Sequence, residues 1–317
     1  MGTHALFQEG IEYHRLALVI VDEQHRFGVD QRLRLIEKGS PQQSRPHQLV
    51  MTATPIPRTL AMTVYADLDT SVIRELPPGR QPVQTVVLPD DRRSEVVARV
   101  REACGRGERA YWVCPLIEDS EIIQSQAAEP TYRMLKESLQ DVPVGLIHGR
   151  MRAEEKEKVM KGFAEGRTKV LVATTVIEVG VDVPEATMMI VENCERMGLS
   201  QLHQLRGRVG RGTSSSSCVL LYRAPLSKMA KQRLSVMRNT TDGFKVAQRD
   251  LELRGPGEVL GTRQTGLMQL RVADLIRDAD LVPTVQEIAQ RLIKEAPEAV
   301  DKIILRWLGS KSRFGNV

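Results

Sequence analysis

The chain has 317 residues, 41% of them hydrophobic, 27% charged and 4% aromatic, with a formal charge of +5. This length fits two domains of roughly 150 residues rather than one ordinary core, and the balance is that of a soluble globular chain with too few aromatics for a stacking surface. The longest apolar run, Leu16 to Val21, falls far short of the ~20 residues that cross a bilayer; no basic segment leads into it as in a signal peptide, so the expected location is the cytosol.

In chain order, Leu16-Ala-Leu-Val-Ile-Val21 predicts a strand buried on both faces of a parallel sheet. It runs into Asp22-Glu23-Gln24-His25, so carboxylates emerge at its C-terminal edge. Lys38 to His47 is rich in Gly, Ser, Pro and Gln and reads as a loop. A short strand, Gln48 to Met51, then leads into Thr52-Ala-Thr-Pro55. Leu76-Pro-Pro-Gly-Arg-Gln-Pro82 forbids a helix and favours an extended connection, which places a domain boundary there.

A second α/β series follows. Val96, Val97, Val100, Ala103 and Cys104 share one helical face, and Val159, Met160 and Phe163 share another on a helix starting near Ala153. Strands are predicted at Ala110–Cys114, Val144–Ile147, Lys169–Ala173, Met188–Val191 and Cys218–Tyr222. Alternation of this kind argues for a mainly parallel sheet with helices on both faces. Beyond Arg223 the pattern is helical: Leu226, Met229, Ala230 and Met237 suit one helix and Asp242 to Leu253 a second. A Gly/Pro-rich loop from Gly255 to Gly266 precedes further helix from Val272 to Trp307, broken by Pro283 and Pro297.

Cys104, Cys114, Cys194 and Cys218 are scattered without metal-site spacing, which suits buried structural thiols. Charge is uneven. Gln201 to Arg271 holds thirteen Lys and Arg against four Asp and Glu, a local +9, so the remainder sums to −4. Such a block suits a polyanion, either nucleic acid or nucleotide phosphates, or else a solvated basic face.

An acidic pair at a buried strand end can hold Mg²⁺ through water and polarise an attacking water, although such pairs are also common structural features. Here four segments occur in order: Asp22-Glu23-Gln24-His25; Thr52-Ala-Thr-Pro55; Thr174-Thr-Val-Ile-Glu-Val-Gly-Val-Asp-Val-Pro184; and Gln204-Leu-Arg-Gly-Arg-Val-Gly-Arg211. Together they resemble the motifs of superfamily 2 helicases. The stretch Asp242 to Gly266 is similar to the translocation motif shared by the RecG family and the transcription-repair coupling factor, a helical hairpin and loop. Its glycines, G-x-G-x-x-x-G from Gly255 with no strand before them, fail as a dinucleotide fingerprint.

The resemblance, running from Gly2 to about Asp280, implies an ATP-dependent motor on double-stranded and branched DNA, including forks and Holliday junctions, using ATP and Mg²⁺. It implies that Asp22 holds Mg²⁺ through water and Glu23 is the general base. His25, Thr52 and Thr54 would link nucleotide state to the domain interface. Thr174, Thr175, Gly180 and Asp182 would contact DNA backbone and nucleotide, with Asp182 suited to a ribose hydroxyl or an arginine. Gln204 would sense the γ-phosphate, and Arg208 and Arg211 would act on the triphosphate as arginine fingers, with Gly207 and Gly210 allowing close backbone approach. Arg254, Arg263 and Gln264 would couple the motor to DNA. His148-Gly-Arg-Met151 is similar to a further motif, or else His148 is a satisfied structural residue.

No G-x-x-x-x-G-K-[ST] phosphate cradle occurs; Gly162-Phe-Ala-Glu-Gly-Arg-Thr168 has its glycines one residue too close and Arg167 in place of lysine. The expectation is therefore the C-terminal motor portion of a longer protein. The cradle and the DNA-recognising wedge would lie upstream, and the portion would have little ATPase of its own and an exposed apolar surface. The expected architecture is α/β with RecA-like parallel-sheet motor domains: the first, incomplete, at 1–75, a linker at 76–90, the second at 91–225, and a helical hairpin, loop and C-terminal helices at 226–317. The alternatives are a duplex translocase of the coupling-factor type and a non-catalytic nucleic-acid-binding module.

Overall fold

The computed structural model describes residues 2, 6, 8, 11, 13, 16–23, 46–52, 69, 71–73, 75, 77, 80–115, 121–174, 183–254 and 277–308. By their internal contacts the residues form two compact units, Ser71–Asp250 and a second made of Met1–Thr70 with Leu251–Val317.

The larger unit contains strands β3 (Gln84–Pro89), β4 (Arg109–Val113), β5 (Val144–Ile147), β6 (Val170–Ala173), β7 (Ala186–Val191) and β8 (Ser217–Tyr222). Between them run helices α1 (Arg93–Gly105), α2 (Glu121–Ser138), α3 (Ala153–Ala164) and α4 (Leu199–Arg206), followed by α5 (Lys228–Asn239) and by α6 (Gly243–Arg254), which belongs to this unit as far as Asp250. The strands form a six-stranded sheet in the order β3-β8-β7-β4-β6-β5, and every pairing is parallel. All residues of β4, β6 and β7 are buried, which is why their sequences run apolar without alternation.

Side chains alternate across the sheet. Ala110, Trp112 and Cys114 face a core closed by Val96, Val100 and Ala103 of α1 and by Leu135 of α2. Tyr111 faces the other way, where its ring meets Phe163 of α3 with centroids 4.8 Å apart. Helices thus cover both faces, as expected. All four cysteines are free and buried. Burial pushes the Cys104 thiol up to about 11 and those of Cys114 and Cys218 to about 12, so none is a nucleophile at neutral pH.

Three expectations need correction. Gln84–Pro89, assigned to the linker, is the edge strand β3, paired in register with Ser217–Tyr222. After Pro82 the β-branched run Thr85-Val-Val87 finds an open edge, and the next proline, Pro89, closes the strand. Leu226 precedes α5 and Met229 is 49% exposed; Ser227 caps the helix by accepting the Ala230 N–H at 3.1 Å, so the buried stripe is Ala230, Leu234 and Met237. Pro283 and Pro297 start helices instead of breaking them, because a first-turn proline lacks only an N–H with no helical partner.

In the other unit, β1 (Leu18–Val21) and β2 (His47–Val50) pair in parallel, with Val21 opposite Val50. Val19 and Val21 are buried, with Tyr13 and Leu16 packed against them. Leu18 and Ile20 are 52% and 56% exposed, so β1 is not buried on both faces as expected. Among the described residues β1 has β2 as its single strand neighbour, and one face of the pair is left open. Helices α7 (Val282–Glu295) and α8 (Pro297–Leu308) are amphipathic and also carry exposed apolar residues, among them Val285, Ile293 and Leu305.

Candidate functional site

Asp22, Glu23 and Thr52 in one unit and Thr174 in the other each stand at the C-terminal edge of parallel strands, where α/β sheets place their ligands. In the smaller unit, Asp22 and Glu23 follow β1 directly, and Met51 N–H donates to Val21 O at 2.8 Å, carrying the ladder one step past β2. Thr52 therefore stands at the edge beside them, exposed like Asp22. Asp22 Oδ1 accepts the Glu23 N–H at 2.8 Å. This turn holds Glu23 at φ +52°, a left-handed conformation that costs a non-glycine residue of order 1 kcal/mol or more and concentrates at functional sites. His25 and Thr54 lie outside the described residues.

In the larger unit, β5 and β6 end in register, Ile147 opposite Ala173, so His148 and Thr174 leave the sheet side by side. Thr174 is fully buried; its N–H donates to Ile147 O at 3.3 Å while its hydroxyl has no partner. His148 Nδ1 is likewise enclosed and unpartnered. Buried polar atoms are nearly always hydrogen-bonded, so these two at one sheet edge are candidates for contact with a water or a ligand. Thr175, Gly180 and Asp182 lie outside the described residues.

The third group lies on and after α4. Gln204 is half-buried on the helix, and Arg208 and Arg211 follow its end, Arg211 exposed and Arg208 partly so. The backbone here is held tightly. Arg80 Nη2 donates to Gly207 O at 3.1 Å, the Arg208 N–H donates to Leu205 O at 3.0 Å, and Val209 is 1% exposed. Gly210 has φ +77°, and a Cβ there would lie 2.7 Å from Val83 Cγ2. Gly210 is thus required by packing against the Pro-rich segment, not only by approach to a ligand as expected from sequence. Arg254 ends α6, and Arg263 and Gln264 lie outside the described residues.

Sequence reasoning missed Glu192, which follows β7, separated from β6 by β4 in the sheet. It is 5% exposed, accepts Trp112 Nε1–H at 2.8 Å and pairs with Arg93 at 3.1 Å. Burial holds its carboxyl above the usual range against the opposing pull of Arg93. Its signal was a lone acid following the all-apolar run Met188–Val191.

His203, on the same helix as Gln204, accepts a hydrogen bond from Arg206 at Nδ1, 2.9 Å away. Burial, with Arg206 adding, lowers its pKa from 6.5 to about 4. A base with a depressed folded pKa contributes stability that is complete above pH 6.5 and is lost as pH falls toward 4. The loss should be about 3 kcal/mol. Urea unfolding from pH 7 to 4 should show this acid limb and a flatter one in His203→Gln; parallel limbs would contradict it.

Comparisons with known proteins follow the same division. The model of the helicase conserved C-terminal domain matches residues 95–213, and that of ATP-dependent DNA helicase RecG, domain 3, C-terminal, matches 240–309. ATP-dependent DNA helicase RecG of Escherichia coli (strain K12) is 60% identical over 317 residues, covering 100% of this chain and 46% of the relative. The chain belongs to the RecG family. The Thermotoga maritima RecG is 49% identical over 310 residues, covering 98% of this chain and 39% of its own. A solved RecG structure, bound to a three-way DNA junction, superposes with TM-score 0.67 at 48% identity over 89% of this chain and 35% of that one. The chain thus spans less than half the length of these relatives.

Proposed function

We propose that the chain is a motor portion of an ATP-dependent DNA translocase that remodels branched DNA, such as stalled forks and Holliday junctions, in the cytoplasm. The observation that carries the reading is that all four motifs stand in order on a chain similar to RecG relatives across its entire 317 residues. Within the family, the solved RecG is one bound to a three-way junction, which supports branched DNA as the partner class.

The residues fit magnesium-bound ATP. The Asp22 carboxylate is exposed, so it can hold Mg²⁺ through water, as suits an ion that keeps much of its hydration shell. When bound there, the ion would supply positive charge against the phosphates. Glu23, fixed by its left-handed turn, takes the proton of the attacking water. Gln204 reads the γ-phosphate, and Arg208 and Arg211 meet the charge that develops on it, a task for which a planar, always-charged fork is suited. Gly180 and Asp182 complete the nucleotide contacts. Thr174 and Thr175 hold DNA phosphates, which hydroxyls and backbone N–H groups do without reading sequence. His25, Thr52 and Thr54 relay nucleotide state, and Arg254, Arg263 and Gln264 couple it to DNA.

Because the 317 residues contain no G-x-x-x-x-G-K-[ST], they should hydrolyse little ATP by themselves, and activity belongs to measurements on the full-length protein. DNA affinity tests the polyanion half of the proposal. With +9 concentrated in residues 201–271, duplex binding should fall ~10³-fold or more between about 50 and 200 mM salt, as for six or more phosphate contacts, and should not depend on sequence. Equal affinity at both salt concentrations would refute it.

A further inference from the structure

Three arginines stand in Gln204-Leu-Arg-Gly-Arg-Val-Gly-Arg211, and the fold separates one from the other two. Arg208 and Arg211 reach the surface, whereas Arg206 is 3% exposed and faces the interior of the larger unit. Its Nη1 donates to Thr240 O at 2.8 Å, Met237 O at 3.1 Å and Thr85 Oγ1 at 3.4 Å. Its Nη2 donates to His203 Nδ1 at 2.9 Å and to Thr241 O at 3.4 Å. Three of these acceptors are carbonyls at and just beyond the C-terminus of α5, where helix carbonyls lack partners and the helix dipole is negative.

None of these partners of the buried cation is a carboxylate. Its charge is spread over a helix end, a hydroxyl and a neutral imidazole, an arrangement that a guanidinium can satisfy and an ammonium cannot reproduce. The next residue, Gly207, begins the segment that carries Arg208 and Arg211. Arg206 itself supplies the carbonyl that accepts the Val209 N–H at 3.4 Å.

We infer that Arg206 is a positioning residue. It pins the end of α4 to the end of α5 and thereby fixes where the 207–211 segment presents Arg208 and Arg211, without touching nucleotide itself. The inference rests on the proposed role of those two arginines in ATP hydrolysis, but its structural half can be measured independently.

The test uses the full-length protein and its Arg206→Gln and Arg206→Lys variants in two arms. Hydrogen exchange should show the 207–211 amides opening at least about tenfold faster in Arg206→Gln, with Arg206→Lys in between and the β4 and β6 peptides unchanged. Unchanged protection at 207–211, or uniform acceleration across the sheet, would overturn the inference, since the second is what a purely structural residue gives. DNA-stimulated ATP hydrolysis should lose at least about tenfold in kcat while the affinity for a fluorescent ATP analogue stays within about threefold. A wild-type kcat in a variant whose 207–211 segment has loosened would also overturn it. A wild-type protein without ATPase would sink the functional reading, and the exchange arm would still decide the positioning role. If Arg206→Gln does not fold, His203→Phe removes one acceptor. It should accelerate exchange at 207–211 alone, and unaltered exchange there counts against the inference.

Discussion

Arg211→Ala in the full-length protein is expected to lower DNA-stimulated ATP hydrolysis by about 10³–10⁵, the range over which an arginine finger acts on phosphoryl transfer. The residue is exposed at the end of a segment fixed by the buried Val209 and by Gly210 packed on Val83, so truncating it should leave the fold intact. The deficit should fall on kcat, with nucleotide affinity changed far less, because the charge it meets develops in the transition state. A variant that keeps more than about a tenth of wild-type turnover would remove Arg211 from the hydrolysis machinery.

Trp112→Phe is the largest expected effect on stability. Trp112 is fully buried and its Nε1–H is held by Glu192 Oε1 at 2.8 Å. The substitution leaves a cavity and also strips a buried carboxylate of a donor, and these together should cost about 3 kcal/mol. A pH signature separates the two parts. Burial already raises the Glu192 pKa above its ordinary value of 4.5, so the folded state binds the proton more tightly than the unfolded chain. Stability therefore falls as pH rises from that value through the folded pKa. Losing the Trp112 donor raises the folded pKa further, so Trp112→Phe should cost more at pH 8 than at pH 5. In a Glu192→Gln background the pH dependence of that cost should vanish. Urea unfolding across pH provides the check, and a pH-independent cost in both backgrounds would assign the whole effect to packing.

How much of this was legible in the sequence depended on how each residue is buried. Strands β4, β6 and β7 stood out because burial on both faces makes their sequences uniformly apolar. β3 did not, because it is an edge strand that opens on the exposed Gln84 directly after a proline-rich stretch and is only partly buried from Thr85 onward. The same apolar pattern misled at β1, where Leu18 and Ile20 face outward. Hydrophobicity records what a residue can bury, and the neighbours decide whether it does. Met229 failed for a related reason, since the Ser227 cap sets the phase of α5.

At the site, the strand pattern placed Asp22, Glu23 and Thr174 at strand ends, where they are found, whereas helix α4, which leads into the 207–211 segment, was not predicted. The difference between Arg206 and its neighbours was invisible, because three arginines within six residues look alike until the fold turns one inward. Glu192 was missed because nothing local shows that Trp112 and Arg93, far away in sequence, converge on it.

The proposed action on branched DNA is read from the rate of ATP hydrolysis by the full-length protein on a three-way junction against a linear duplex of equal length. Markedly stronger stimulation by the junction, lost in Arg211→Ala, is the expected result. Equal stimulation by the linear duplex would contradict branch preference and put a general duplex translocase in its place.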